Sequence, residues 1–393
     1  MKKLLHFLFF LILLLFCYKL RLIEQNSETM SRFIPIAVAS LFIVFYAYFF
    51  IRFLYNGRIT SRIYIIVTLW LLYISIISFF SMSDGISLND YLFSTFWCFC
   101  YLSFQLLLTH MSDCYRLFIK WYIVLFAFSL IGFFYCLSHP IFSDDFLMSD
   151  RLIGENSIYY PIMCLPFLLL VKKRWLRVIF LCLLLIATVM SLKRTASIIL
   201  FSVIFFYVYF DFVKLSKHKV ANTIIAFVMI FSFYYFFQTL SFTSDLRTRF
   251  SSFEDDRGSG REDVYGEVFQ MIIQSPPTSF ILGHGYNKVF VNNHGASAHD
   301  DFLEVLYDYG LAGFILYIIF HITLIKRCRL LYKRKSPYFL AYFTSYLIFL
   351  VTSLFSHLII YPTYFTLLLI FWAYYETKVF HGSRIEYDTL IKR

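Results

Sequence analysis

"NNHGASAHDDFLEVLYDYGLAGFILYIIFHITLI", residues 292–325, begins as a polar loop and ends as an apolar helix. From Phe302 onward the run is about long enough, at ~1.5 Å per residue, to cross a roughly 30 Å hydrocarbon core. Runs of this kind recur along the whole chain. Of 393 residues, 60% are hydrophobic and 15% charged, with 51 Phe and 31 Tyr, and the mean hydropathy is +0.71. A soluble chain of this size could not hide so much apolar surface. About twelve runs read as membrane spans: 4–18, 33–51, 63–82, 88–109, 117–137, 157–171, 175–192, 195–213, 220–240, 302–325, 338–356 and 358–377. Each must be helical, because backbone groups in lipid need partners within their own segment. The expected fold is all-α, a polytopic membrane helical bundle forming one integral membrane domain over 1–393.

An even number of spans places both termini on one side, and Lys and Arg decide which. With the N-terminus cytoplasmic, most of the 35 Lys and Arg fall at cytoplasmic ends and loops, among them Lys172 to Arg177 and the run from Lys326 to Lys335. The net charge of +11 is then a topology signal. Short basic loops without a nucleic-acid motif exclude a nucleic-acid partner. The first run, after Lys2 and Lys3, has the look of a secretory signal, but no small-x-small site follows it, so an uncleaved helix is expected. The eight cysteines show no C-x-x-C and read as packing residues.

Loops longer than about 15 residues are usually functional or disordered. Here one outer loop, 241–301 between the ninth and tenth spans, far exceeds the others. Within it "EDVYGEVFQMIIQ", 262–274, has Val264, Phe269, Ile272 and Ile273 at helical spacing. It predicts an amphipathic helix on the membrane or on the bundle. "SPPTSF" stops that helix, and "GHGYN", 283–287, supplies a turn. Two shorter outer segments, 138–156 and "SLKRTAS" at 191–197, also carry polar residues suited to chemistry.

Asp301 stands three residues before Glu304 at the start of an apolar helix, a capping pattern that accounts for Asp300, Asp301 and Glu304 as helix-start carboxylates. It does not account for His294 or His299. An imidazole at a membrane face can take a proton from a hydroxyl. Asp308 falls about two turns into the predicted span, a depth at which an acid faces a partner or a wet cavity. Gly310 and Gly313 make a small face for a neighbouring helix. Arg194, beside Lys193 at an outer mouth, either snorkels or binds a ligand. Arg261 stands in "DDRGSGREDVYG", where glycines let backbone approach a ligand and the planar guanidinium suits phosphate. Arg247, Arg249 and Arg257 share that loop. His294 and His299 lack a third ligand at a suitable interval, so no metal or other cofactor is expected. Together, arginines at the bilayer surface, a histidine and carboxylates describe glycosyl transfer from a polyprenyl pyrophosphate, with Arg stabilising charge on the leaving group. A transporter or flippase would explain the spans and Asp308. It would not explain the single long loop, and no internal repeat accompanies it. A binding or structural membrane protein would be indifferent to the loss of Arg194, Arg261 or His299.

Three stretches carry a family resemblance. His299-Asp300, the residues 301–309, and Gly310-Leu-Ala-Gly313 have the spacing of a ligase pattern: His, a polar residue, a nine-residue gap and G-x-x-G. Asp300 stands where an amide or hydroxyl is usual. "LKRTASIILF", 192–201, resembles a Thr/Ser-Arg turn opening a span, with Lys193 in place of the small hydroxyl residue. "GSGREDVYGEVF" and "ILGHGYN" resemble a G-R-x-x-x-aromatic helix followed by a G-x-G turn. Over about residues 155–325 the chain thus resembles the family of bacterial O-antigen polymerases and O-antigen ligases. The resemblance implies a helical fold related to the GT-C glycosyltransferases, in the bacterial inner membrane, with a periplasmic active site. It implies metal-independent transfer from undecaprenyl-pyrophosphate-linked oligosaccharide among membrane lipids, and a chain-length regulator as protein partner. Arg194 and Arg261 would bind the pyrophosphate, and His299 would be the base or position the acceptor. Arg247, Arg249, His294, Asp300, Asp301 and Glu304 are further substrate-binding candidates. The "AHDDFLEVLYDYGLAGFILY" and "GSGR" forms resemble polymerases more than ligases.

Overall fold

The computed structural model describes residues 1–23, 28–56, 61–81, 88–111, 114–139, 155–210, 257–356 and 362–377, with isolated positions between 220 and 248. Among them all regular structure is helical. Five long helices come first: α1 (Lys2–Lys19), α2 (Glu28–Asn56), α3 (Arg62–Ser81), α4 (Leu88–Thr109) and α5 (Tyr115–Ser138). A 3₁₀ turn (Asn156–Ile158) leads into two short helices, α6 (Tyr159–Met163) and α7 (Leu165–Leu168). Then follow α8 (Arg174–Met190) and α9 (Arg194–Tyr207). The loop region holds α10 (Arg257–Ile273), α11 (Pro277–Leu282) and α12 (Lys288–Asn292). The chain closes with α13 (Asp301–Asp308), α14 (Gly310–Lys333), α15 (Phe339–Phe355) and α16 (Pro362–Tyr375).

Four stretches are long and apolar enough to cross a bilayer: Phe33–Ile51, Arg62–Phe80, Tyr115–Ser138 and Gly310–Lys333. Ser94–Thr109, Arg194–Phe210, Phe339–Phe355 and Thr363–Tyr375 are apolar but shorter. The protein is thus a helical membrane protein. The ninth predicted span, 220–240, lies outside the described residues, as does most of the outer segment 138–156.

Two predicted spans take a different form. The run 157–171 is not one helix. Pro161 and Pro166 each remove a backbone donor and disfavour helical geometry at the residue before them. The run breaks into the 3₁₀ turn, α6 and α7, all buried. One carbonyl near its end is satisfied from outside, since the Tyr115 hydroxyl donates to Leu170 O at 2.6 Å. The run 302–325 breaks at Tyr309-Gly310, because Gly310 is left-handed at φ 62°. Asp308 therefore ends a separate short helix and is not part of the continuous helix α14.

α4 sits centrally, packed by α2, α3 and α16. The core is aromatic: Phe9 meets Phe104 and Phe118 edge-on, and Trp121 stacked. Trp372 is fully buried and donates its indole N–H to Ser345 Oγ at 2.8 Å. At the end of the bundle that carries the basic run 326–335, Arg327 forks onto Glu376 through Nε (2.7 Å) and a terminal nitrogen (2.6 Å). Ser61 Oγ donates to the same carboxylate at 3.2 Å. At the opposite end a second, smaller core forms from Val268, Ile272, Val289, Ala298 and Tyr307. It ties α10, α12 and α13 into a cap over the bundle.

Candidate functional site

The cap organises the polar residues. The inward face of α10 is Val264, Val268 and Ile272, four residues apart; Tyr265 lies one turn before Val268 beside that stripe, and Arg261 one turn before Tyr265. Phe269 and Ile273, expected on the apolar face, are exposed. "GSGR" is helical rather than loop, so Arg261 is held on a rigid element.

α13 begins one residue earlier than the capping pattern suggested. Asp300 is the cap, accepting the Leu303 N–H at 2.9 Å. Its carboxyl is pushed up by burial, against the pull of the Leu303 and Phe302 N–H groups. Glu304, 2% exposed, reaches back beyond the cap: Oε1 accepts the Ala298 N–H at 2.8 Å, and the His299 N–H lies within its reach. Burial first, then the neighbouring Asp308 and Asp301, hold the Glu304 carboxyl well above the usual range. Asp301, fully buried, accepts from the Tyr317 hydroxyl at 3.4 Å, and that hydroxyl also meets Ser353 Oγ at 2.8 Å. Asp308, for which the sequence named no partner, accepts the Val289 N–H at 2.9 Å and so caps α12.

His299 adopts a left-handed backbone, φ 54°, and is half-buried. Its imidazole is pushed down to about 4, first by burial, then by the nearby charges of Arg261 and Lys193. Arg261 also acts on Tyr265, whose phenol faces Asp300 as well; burial raises that phenol, Arg261 opposes the rise, and Asp300 adds to it. Arg261 further reaches Tyr159 of α6, which lies close to Ser356 and Thr195. Thr195 Oγ1 donates to Phe355 O at 3.2 Å, joining the start of α9 to the end of α15. One locale therefore collects Lys193 from the α8–α9 turn, Thr195 from the start of α9, Tyr159 from α6, Arg261 and Tyr265 from α10, and His299 and Asp300 from the start of α13. That turn is left-handed at Leu192, φ 54°, and Arg194 follows Lys193 as the first residue of α9, half-buried.

Lys193, Tyr159 and Tyr265 were not among the residues singled out from sequence. Tyr265 is the aromatic of the G-R-x-x-x-aromatic pattern. Lys193 was passed over in favour of Arg194, although its charge is the one felt at His299. His294 stands exposed in the preceding turn, also left-handed at φ 51°. Arg247 is half-buried before α10. Arg249 and the side chain of Arg257 lie outside the described residues. Among the described residues no group of three or more His, Cys, Asp or Glu is placed to hold a metal ion.

A neutral imidazole beside two cations makes an anion site with an acceptor for a proton. Residues 178–318 match the family model described as O-antigen ligase. That stretch contains Arg194, Arg261, His299 and the whole cap. No curated protein matches the chain.

Proposed function

We propose that this chain, whose residues 178–318 match the family model described as O-antigen ligase, is a surface-polysaccharide polymerase. It joins undecaprenyl-pyrophosphate-linked repeat units by metal-independent glycosyl transfer on the periplasmic face of the inner membrane, with both termini cytoplasmic. The observation that carries this reading is the convergence of Lys193 and Arg261 on His299 from segments far apart in the chain. The cations bind the pyrophosphate, with Arg194 beside them. An acceptor hydroxyl on one lipid-linked unit attacks the anomeric carbon of the other. The bond from that carbon to the pyrophosphate oxygen breaks, and undecaprenyl pyrophosphate leaves with the electron pair. His299 accepts the hydroxyl proton. In the unliganded site the cations weaken this base; a bound pyrophosphate neutralises them and strengthens it. Catalysis is electrostatic stabilisation of the leaving group plus a positioned base.

Transfer of finished polymer to lipid A–core, the ligase reaction, is the second reading, favoured by the description of the matching family model. The glycolipid ladder of a strain lacking the gene separates the two. Lipid A–core carrying a single repeat and no ladder supports the polymerase. Uncapped core with polymer stranded on undecaprenyl pyrophosphate supports the ligase. An unchanged ladder in a strain that makes one refutes both for that glycan. In complemented strains, Arg261→Ala and Arg194→Ala should each abolish or strongly reduce polymer at normal protein level. Normal chain length in both would overturn the pyrophosphate clamp.

A further inference from the structure

We infer that α11 is a re-entrant helix whose apolar face sits in the bilayer hydrocarbon on the side of the candidate site, so that the cap is anchored in lipid rather than resting above it. Two independent rulers give its depth. The Tyr73 hydroxyl lies 2.7 Å from both Leu282 O, at the end of α11, and Tyr309 O. Tyr73 is on α3, about seven residues before Phe80, where the span ends, hence ~10 Å below that end. Helical side chains lean toward the N-terminus, which here means deeper still. Phe79 and Phe80 are themselves exposed, so lipid must extend to their level.

The second ruler starts from the other end, where Ser61, Arg327 and Glu376 meet. Along α3, Ser61 to Tyr73 spans ~18 Å, and along α14, Arg327 to Gly310 spans ~26 Å. Both fall short of a roughly 30 Å hydrocarbon core. The backbones of Gly283 and Ile281 lie directly against Gly310, so α11 ends at that same level.

The surface fits the depth. Phe280, Ile281 and Leu282 are 37%, 51% and 50% exposed. Phe269 and Ile273 on the last turns of α10 are exposed apolar residues as well. From Val268 to Gly283 no residue is charged. α14, on which α11 packs, carries its own exposed apolar row, Leu311, Ile315, Ile319 and Ile322. Non-helical backbone survives at membrane depth only when protein satisfies it. Here Gly283, His284 and Gly285 donate to Ser279 O, Tyr307 O and Asp308 O at 2.7, 3.2 and 2.8 Å. The occupant of this face is therefore the acyl region of the leaflet.

The test is spin-label accessibility in nanodiscs, in a Cys182→Ser background that removes the exposed native thiol. A label at Ile281→Cys should collide with oxygen in preference to a nickel chelate, giving a depth parameter of the same sign as at Leu72→Cys on α3. The sign should be opposite at Glu267→Cys on the exposed face of α10. Chelate access at 281 equal to that at 267 would overturn the inference. So would low access to both probes, which would mean that a second copy or another protein covers the face. Should the labelled variant not fold, hydroxyl-radical footprinting of the unsubstituted protein decides the matter. The 277–283 peptide should stay unoxidised in nanodiscs while the 262–267 peptide is oxidised. Equal oxidation refutes lipid burial.

Discussion

His299 shows how closely backbone and charge are coupled at the candidate site. A non-glycine residue at φ 54° is costly unless its surroundings hold it there. Glu304 is one of the holders, through the Ala298 and His299 N–H groups. Because Glu304 is buried and held toward its neutral form, Glu304→Gln should keep an oxygen acceptor and most activity. Glu304→Ala should strand the Ala298 N–H, a loss of about 1–3 kcal/mol, and lower activity with His299 intact. Equal activity in the two variants would refute the positioning role. His299→Ala should lower turnover by roughly 10²–10⁴-fold, and exposed His294→Ala should do little. Equal losses would mean the wrong histidine is assigned. The pH profile has a sign. The ring is neutral above about 4 in the free protein, so the acidic limb of kcat/KM should fall low. On the proposed mechanism the donor's pyrophosphate neutralises Arg261 and Lys193, so the acidic limb of kcat should lie at higher pH. Coincident limbs would argue against the two cations binding the donor. His299 and Asp300 stand out in the sequence as polar residues at the mouth of an apolar run, and Arg261 as an arginine flanked by glycines. Lys193 was not, because a lysine beside an arginine at a span mouth has the ordinary look of a snorkelling residue.

The elements around the site depend on two glycines that approach through their backbones. Gly283 (φ 91°) and Gly310 (φ 62°) face each other, and a Cβ on either would strike main chain of the other segment. Gly310→Ala should therefore cost the ~1–2 kcal/mol of a left-handed alanine and the clash besides. The expected result is loss of protease resistance in the 257–308 region. Gly266→Ala is the control: nothing lies within 4 Å of its Cβ, and a mid-helix Gly→Ala change should stabilise by about 0.5–1 kcal/mol. The apolar runs were readable as helices wherever proline and left-handed glycine were absent. Sequence periodicity gives no sign of a glycine's φ, which is why the run 302–325 read as one helix. The Pro161 and Pro166 breaks were available in the sequence, but uniform hydrophobicity outweighed them.

At the scale of the molecule, the bundle is fastened at the end away from the cap by Arg327, Glu376 and Ser61. Glu376 is fully buried, so Arg327→Ala leaves a carboxylate without its cation. This should cost ~3–5 kcal/mol, read as a lowered unfolding midpoint in nanodiscs. Adding Glu376→Ala should recover part of the loss; no recovery would mean the two residues act separately. Nothing in the sequence pairs positions 327 and 376, since long-range partners in an apolar bundle leave no periodic trace. Composition alone, by contrast, made the membrane class plain.

The meeting of Lys193, Arg261 and His299 from three separated segments has a consequence for biosynthesis. The chain emerges from its N-terminus, so Lys193 reaches the membrane first, Arg261 later and His299 last. The α8–α9 turn is in place before α10 and α13 are made. A chain stalled before residue 299 has most of its helices made but lacks the imidazole that stands beside Lys193 and Arg261. On the proposed function, competence for transfer is thus one of the final events in the making of the chain.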